Sequence, residues 1–329
     1  VRSVSGDGSR TSIREMRIAY VGGFRVSWHT EVHVADALER LGQSVERIES
    51  SETSWSDLVR RAERRSFDLL FLTARPIRGN TEGVLDKIRA SYVPVVSYHL
   101  DIYTGLRRGF EVGHAPWWRA DFVFTADGGT SSEFWSTKGI RHRWLCGAIP
   151  DDEVYRGARD PRFDCDVAFV GGAQSYLSEW QYRGDVLRFL KLRYGDRFRV
   201  FPEDGKRIHG DDLNRLYATA KVVVGDSFCP GFAHGYYWSD RIYQTLGRGG
   251  VLVHPEIVGL AAEYDPGLHF ETYRFGDFIE LGQKIDALLD DPERGDAMRR
   301  KAILQTLERH TYSQRMQALL DIVENEYFR

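Results

Sequence analysis

Two tracts constrain this chain more than any others: "YVGGF" at 20–24 and "FVGGA" at 169–173. Each is an apolar run ended by paired glycines, and each opens an alternation of strand-like and helix-like segments. A strand stopped by glycine and followed by an amphipathic helix is the first unit of a doubly wound parallel sheet. One such pair alone reads as readily as a simple tight turn. Two at matched positions in 329 residues predict two sheets of this kind, with domains of about 150 residues each.

The rest of the chain follows that programme. "TEVHVADALERLG" sets Val34, Leu38 and Leu41 at helical spacing and ends in Gly42. "SVERIE", "FDLLFLT", "VPVVSYHLD" and "ADFVFTAD" read as strands, and "WSDLVRRAERRS", "GVLDKIRAS" and "SSEFWSTKG" as the helices between them. The stretch near 148–164 is polar, carries two prolines and has no periodicity, so it reads as a linker. Beyond it the alternation restarts at "CDVAFVGGAQ" and closes on three amphipathic helices. The predicted organisation is a polar, disordered leader (1–15), a first Rossmann-like domain (16–149), a second (150–311) and a terminal helix (312–329).

Composition narrows the function classes. With 42% hydrophobic and 28% charged residues the chain is ordinary globular protein. A net charge of -3 supplies no global basic field for nucleic acid. The arginines Arg60, Arg61, Arg64 and Arg65 read as a solvated helix face. Cys146, Cys165 and Cys229 stand far apart with no zinc spacing, which suits a reducing cytoplasm. No run of about 18 apolar residues suggests a membrane helix. Neither Gly-Gly turn completes GxGxxG, and GxxxxGK[ST] is absent, which argues against a dehydrogenase and a phosphate-loop ATPase.

The second half carries an ordered set of motifs: "FVGG", Arg183 in the next helix, "HGDDLNRLYATAKVVVGDS", "SDRIYQTLGRGGVLV" and "HTYSQR". Over roughly 165–320 this resembles the nucleotide-binding half of GT-B glycosyltransferases, and in particular the glycosyl-transferase group 1 domain of CgeB-like spore-maturation proteins. The resemblance implies an α/β fold of GT-B architecture, with two Rossmann-like domains facing a central cleft. It implies a donor that is a nucleotide-diphosphate sugar, no further cofactor and no metal. It also implies that the last helix crosses back to the first domain. Many retaining relatives hold the donor sugar and the ribose with two glutamates about eight residues apart. Here Tyr236 and Gln244 stand near those places, so the anionic ribose grip is missing, although an amide both donates and accepts hydrogen bonds.

Glycosyl transfer must stabilise a leaving diphosphate, and backbone amides, a helix N-terminus and a basic side chain suit that task. The candidate diphosphate ligands are Gly171, Gly172, Arg183, Ser239, Asp240 and Arg241. Ser239 or Asp240 would cap a helix starting there. Arg241 in its first turn opposes the helix dipole, which makes sense with an anion in front of it. The structural alternative pairs Arg241 with Asp240 or Asp226. His209, Gly210, Tyr237 and Gln244 are candidates for the nucleoside, either contacting it or serving as core and turn residues. An acceptor base would come from the first domain. His99 and Asp101 are two apart, and on a regular strand would share a face; His29 and Asp127 are further strand-end candidates. The acceptor stays open among a small molecule, a glycan, a protein and modified DNA; "HAPWWRADF" (114–122) would line its groove or be core. A sugar-nucleotide 2-epimerase and a non-catalytic nucleotide-sugar-binding module are the alternatives.

Overall fold

The computed structural model describes residues 14–104, 107–128, 133–172, 181–226 and 235–328. Nearly all of the leader, and Cys229, lie outside them.

Six strands build the first sheet: β1 (Arg17–Gly22), β2 (Ser44–Glu49), β3 (Leu69–Leu72), β4 (Val95–His99), β5 (Phe122–Thr125) and β6 (His142–Trp144). Their order is β2-β1-β3-β4-β5-β6, all parallel. Parallel strands are covered on both faces, so the inner ones are continuous apolar runs, as in Leu69–Leu72 and Phe122–Thr125, buried throughout. On one face lie α1 (Thr30–Arg40) and a core containing Val34, Leu38 and Phe71. On the other lie α2 (Trp55–Glu63) and α3 (Val84–Arg89), with Trp55, Leu58 and Ile88. Ser54 caps α2 by accepting the Asp57 amide at 3.2 Å. A short helix, α4 (Glu133–Thr137), precedes β6.

The second sheet contains β7 (Val167–Val170), β8 (Phe198–Phe201), β9 (Val222–Val224), β10 (Leu252–Pro255) and β11 (Glu271–Tyr273), in the order β11-β10-β9-β7-β8, again parallel. The three-residue strand β11 has no counterpart in the pattern read from sequence. The helices are α5 (Gln181–Tyr194), α6 (Gly210–Thr219), α7 (Arg241–Gly247), α8 (Phe278–Asp290), α9 (Pro292–Arg309) and α10 (Tyr312–Val323). The run "GRGG" is a Schellman ending of α7. The Gly250 amide donates to the Thr245 carbonyl at 2.7 Å, the Gly249 amide to Leu246 at 3.1 Å, and Gly249 takes a left-handed φ of 76°.

Although α10 follows the second domain in sequence, it packs on α1. Tyr312, Met316, Leu319, Leu320 and Val323 are buried in the core of the first domain. The linker joins this crossing: the Ile149 amide donates to the His310 carbonyl at 3.2 Å and the Tyr312 amide to Ile149 at 3.0 Å. Arg315 pins it from the side, reaching Glu263 at 3.3 Å and the Gly147 carbonyl at 3.2 Å. The C-terminal edges of the two sheets face each other. Past β5, the Gly128 amide donates to the Tyr236 carbonyl at 2.9 Å. Past β1, the Trp28 ring lies on the His209 ring beyond β8. Among the described residues, no helix is long and apolar enough to cross a membrane.

Candidate active site

In each sheet the strand order reverses once, between β1 and β3 in the first and between β7 and β9 in the second. Such a reversal leaves a crevice beyond the strand ends, because the two connections depart to opposite faces. The second crevice holds an open pocket of about 420 Å³. Its walls include Val170, Val224, Asp226, Arg183, Ser239 and Arg241. Three of the side chains that the sequence nominates for the diphosphate therefore meet in one place.

Their electrostatics differ. Arg183 is buried and bound to Asp226: its Nε donates to Oδ2 at 2.6 Å and its Nη2 to Oδ1 at 3.3 Å, while Nη1 donates to the Gly172 carbonyl at 3.2 Å. Helix spacing makes this residue legible as a charge; its burial is not, because its partner lies 43 residues away. Asp226 thus pairs with Arg183 rather than with Arg241. Arg241, half-buried, donates to the Val170 carbonyl and has no carboxylate partner among the described residues. Among the described residues the pocket wall carries two guanidinium groups and one carboxylate. His254 lies beneath, with Nδ1 2.7 Å from the Pro255 carbonyl and Nε2 3.0 Å from that of Asp226. Burial lowers its pKa, and a neutral ring has only one N–H to donate. Sequence reasoning overlooked His254; its position at the end of an apolar strand was the available signal.

Backbone geometry fits Arg241 to this pocket. Ser239 Oγ accepts the Arg241 amide at 3.3 Å and donates to Asp240 Oδ1 at 3.1 Å, so the serine and not the aspartate caps α7. Gly171 has a φ of 153°, and a side chain there would sit on the Arg241 guanidinium. Gly172 is exposed and has open space beside it. Gln244 faces Asp240, Nε2 to Oδ2 at 3.5 Å.

The nucleoside candidates separate. His209 precedes α6 and is stacked on Trp28 with ring centroids 4.4 Å apart and planes 17° apart. Gly210 opens α6 with a φ of 56° and open space around it. Tyr237 is buried with Ile102 and Ala126 of the first domain, so its ring packs in the seam between domains. Trp238 donates from Nε1 to the Tyr243 hydroxyl at 2.7 Å, in the same seam.

On the first domain's edge the candidate bases also separate. β4 ends at His99, so the expected shared face with Asp101 does not form: Asp101 lies in an exposed bend beyond it. His99 is 3% exposed, against Trp118 and Tyr103, with neither ring nitrogen hydrogen-bonded among the described residues. Burial pushes its pKa down to about 3. Asp127 is buried too, accepting the Tyr103 and Thr104 amides at 2.7 Å each and the Thr104 hydroxyl. In "HAPWWRADF", Trp118 is core and Trp117 is partly buried. His29 is the half-buried exception at the first crevice. It stands at the N-cap position of α1 without a side-chain cap bond, its Nδ1 3.3 Å from the Gly23 carbonyl. An N–H at Nδ1 directed to that carbonyl leaves Nε2 as the basic nitrogen. Beside it Glu31, also buried, accepts from Arg75 Nε at 2.7 Å.

Comparison with known proteins agrees with this architecture. The structure is similar to Anabaena HepE solved with UDP and glucose, at 14% identity and a TM-score of 0.61, covering 94% of this chain and 100% of that one. It is similar to an alpha-glucosyltransferase solved with UDP and a 13-mer DNA containing an HMU base, at 11% identity and a TM-score of 0.64, covering 94% and 100%. It is also similar to sucrose-phosphate synthase from Thermosynechococcus elongatus, at 11% identity and a TM-score of 0.59, covering 96% and 99%. No curated protein matches the sequence. Residues 173–321 match the family described as glycosyl transferase-like. The chain thus carries a glycosyl transferase-like region, residues 173–321, within a two-domain GT-B fold.

Proposed function

We propose that the protein is a cytoplasmic, metal-independent glycosyltransferase that moves a hexosyl group from a nucleotide-diphosphate sugar to an acceptor hydroxyl. The observation that carries this reading is the pocket at the β7–β9 reversal, where Arg241 has no carboxylate partner among the described residues, its guanidinium donates to the Val170 carbonyl and its amide to Ser239, and only a glycine at 171 leaves room for it. In the reaction the bond from the anomeric carbon to the diphosphate oxygen breaks, and the diphosphate gains negative charge. Arg241 faces that charge in a partly enclosed site, where a fixed cation is worth more than in water, with the Arg183–Asp226 pair beside it. The acceptor oxygen bonds to the anomeric carbon and its proton passes to His29 Nε2. His29 takes this role because it is accessible at the opposing crevice, whereas His99 is sealed in core. Within the glycosyl transferase-like family, the ordered motifs favour the CgeB-like group. The solved relative with DNA makes a modified base one acceptor class to try, beside glycans, proteins and small molecules.

The test begins with thermal melting in UDP, GDP, ADP and dTDP. A binding nucleotide stabilises the folded protein by mass action, by about 2.7 kcal/mol at a hundred times Kd, and so raises the midpoint. Arg241→Ala is expected to weaken that nucleotide about tenfold to a hundredfold, the range for a hydrogen bond to a charged group. His29→Ala is expected to keep nucleotide affinity while transfer falls about a hundredfold or more. No stabilisation by any of the four would sink the proposal. Conversion of the donor alone to its C2 epimer would reassign the protein to that class.

A further inference from the structure

The stack of Trp28 on His209 joins the two domains, and it joins a residue that precedes the region matching the transferase family to one inside that region. Three features of this contact point to a ligand. First, His209 Nε2 is buried without a hydrogen-bond partner among the described residues, and a buried polar nitrogen ordinarily has one. Second, no described atom lies within 4 Å of the place where a side chain would start on Gly210, the residue next to His209. Third, Trp28 is 49% exposed on a turn, tied locally by the His29 amide to the Val26 carbonyl at 3.0 Å. Its ring can retreat without disturbing a packed core.

Position relates the stack to the diphosphate pocket. The pocket lies over β7 and β9, and His209 follows β8 on the other side of β7. The span from β9 to β8 is two strand spacings, roughly 10 Å. A diphosphate and a ribose extend over about that distance, which brings a nucleobase to the stack. Burial lowers the pKa of His209, with Arg207 adding to the effect, so the ring is neutral at neutral pH and presents a flat π face.

We propose that Trp28 and His209 are the two walls of a nucleobase slot, one from each domain, and that the base of the donor enters between them. The rings now touch; the base separates them by one ring thickness and is then stacked on both sides. Donor binding thereby links the first domain to a ligand held by the second, and Trp28 acts on the affinity for the nucleoside. This rests on the donor reading above.

Isothermal titration of the nucleotide that gives the largest melting shift tests the slot in wild-type protein, Trp28→Ala and Trp28→Phe. One lost base–aromatic stack predicts about tenfold weaker binding in Trp28→Ala. Trp28→Phe keeps a ring and should stay within about threefold of wild type. Melting midpoints of the free proteins show that both variants fold. Trp28→Ala binding as tightly as wild type, or more tightly, would overturn the slot, the latter because the indole would then be an occluding plug. Phenylalanine as weak as alanine would also overturn it. These outcomes leave the donor reading standing, whereas a wild-type protein that binds none of the four nucleotides defeats the donor reading itself.

Discussion

Gly171 and Gly172 stand side by side after β7, yet their surroundings make opposite demands. At Gly171 the φ of 153° is one that L side chains rarely adopt, and the space for a Cβ is filled by the Arg241 guanidinium. Gly171→Ala should therefore cost about 1–3 kcal/mol from backbone strain alone and displace Arg241 as well. Nucleotide affinity should fall with it. No described atom lies within 4 Å of a Cβ placed on Gly172, and Gly172→Ala should change stability by no more than about 0.5 kcal/mol. Denaturant unfolding of the two variants checks the contrast; equal effects would show that the guanidinium does not occupy that space.

His99 supplies a second prediction at this scale. Its native pKa of about 3 lies below the ordinary value near 6.5, so between those limits the unfolded chain binds the extra proton. Stability from this group is complete above about pH 6.5 and declines as pH falls towards about 3. At pH 5 the decline amounts to roughly 2 kcal/mol. His142, pushed down to about 4 chiefly by burial, contributes in the same direction, so total acid sensitivity does not isolate His99. The difference between wild type and His99→Phe does. The variant should lose about 2 kcal/mol less on going from pH 7 to pH 5 in urea unfolding. It should also keep its transfer activity at pH 7, because no acceptor reaches that ring.

At the scale of elements, what could be read from the chain is what local pattern encodes. Apolar runs such as "LLFL" declare buried parallel strands, and "GRGG" declares a helix stop that the structure completes as a Schellman motif. Strand ends were legible too, and with them the neighbourhood of the pocket: Gly171, Gly172, Ser239 and Arg241. Contacts between distant segments were not. The Arg183–Asp226 pair joins α5 to the end of β9 across 43 residues, so charge alone gave no hint of burial. Tyr237 reads equally as a stacking platform or as core, and only the seam with Ile102 and Ala126 decides where its ring lies. The spacing of His99 and Asp101 suggested one face, but the spacing argument holds only while the strand continues, and β4 stops at His99.

At the scale of the whole molecule, the chain is threaded so that the first domain is not completed by one continuous segment. The first sheet needs α10 from the far end, which covers α1 with Tyr312, Met316, Leu319, Leu320 and Val323. Burying apolar side chains of this size contributes about 1.5–3 kcal/mol each before the ordering cost, so five are comparable to the whole net stability of a domain, about 5–15 kcal/mol. A chain ending at His310 should therefore expose the first domain's core and unfold or aggregate, rather than lose activity alone. Domains joined this way, with Tyr237 and Trp238 in the seam between them, should also melt together. Calorimetry of the intact protein is expected to give one transition whose van't Hoff and calorimetric enthalpies agree. Nucleotide should move that single transition upward as a unit, because the ligand's free energy is then shared by both sheets. Two resolved transitions, with nucleotide shifting only one, would show that α10 and the seam do not couple the domains. A soluble, folded truncation would independently show that the first sheet closes its core without the terminal helix.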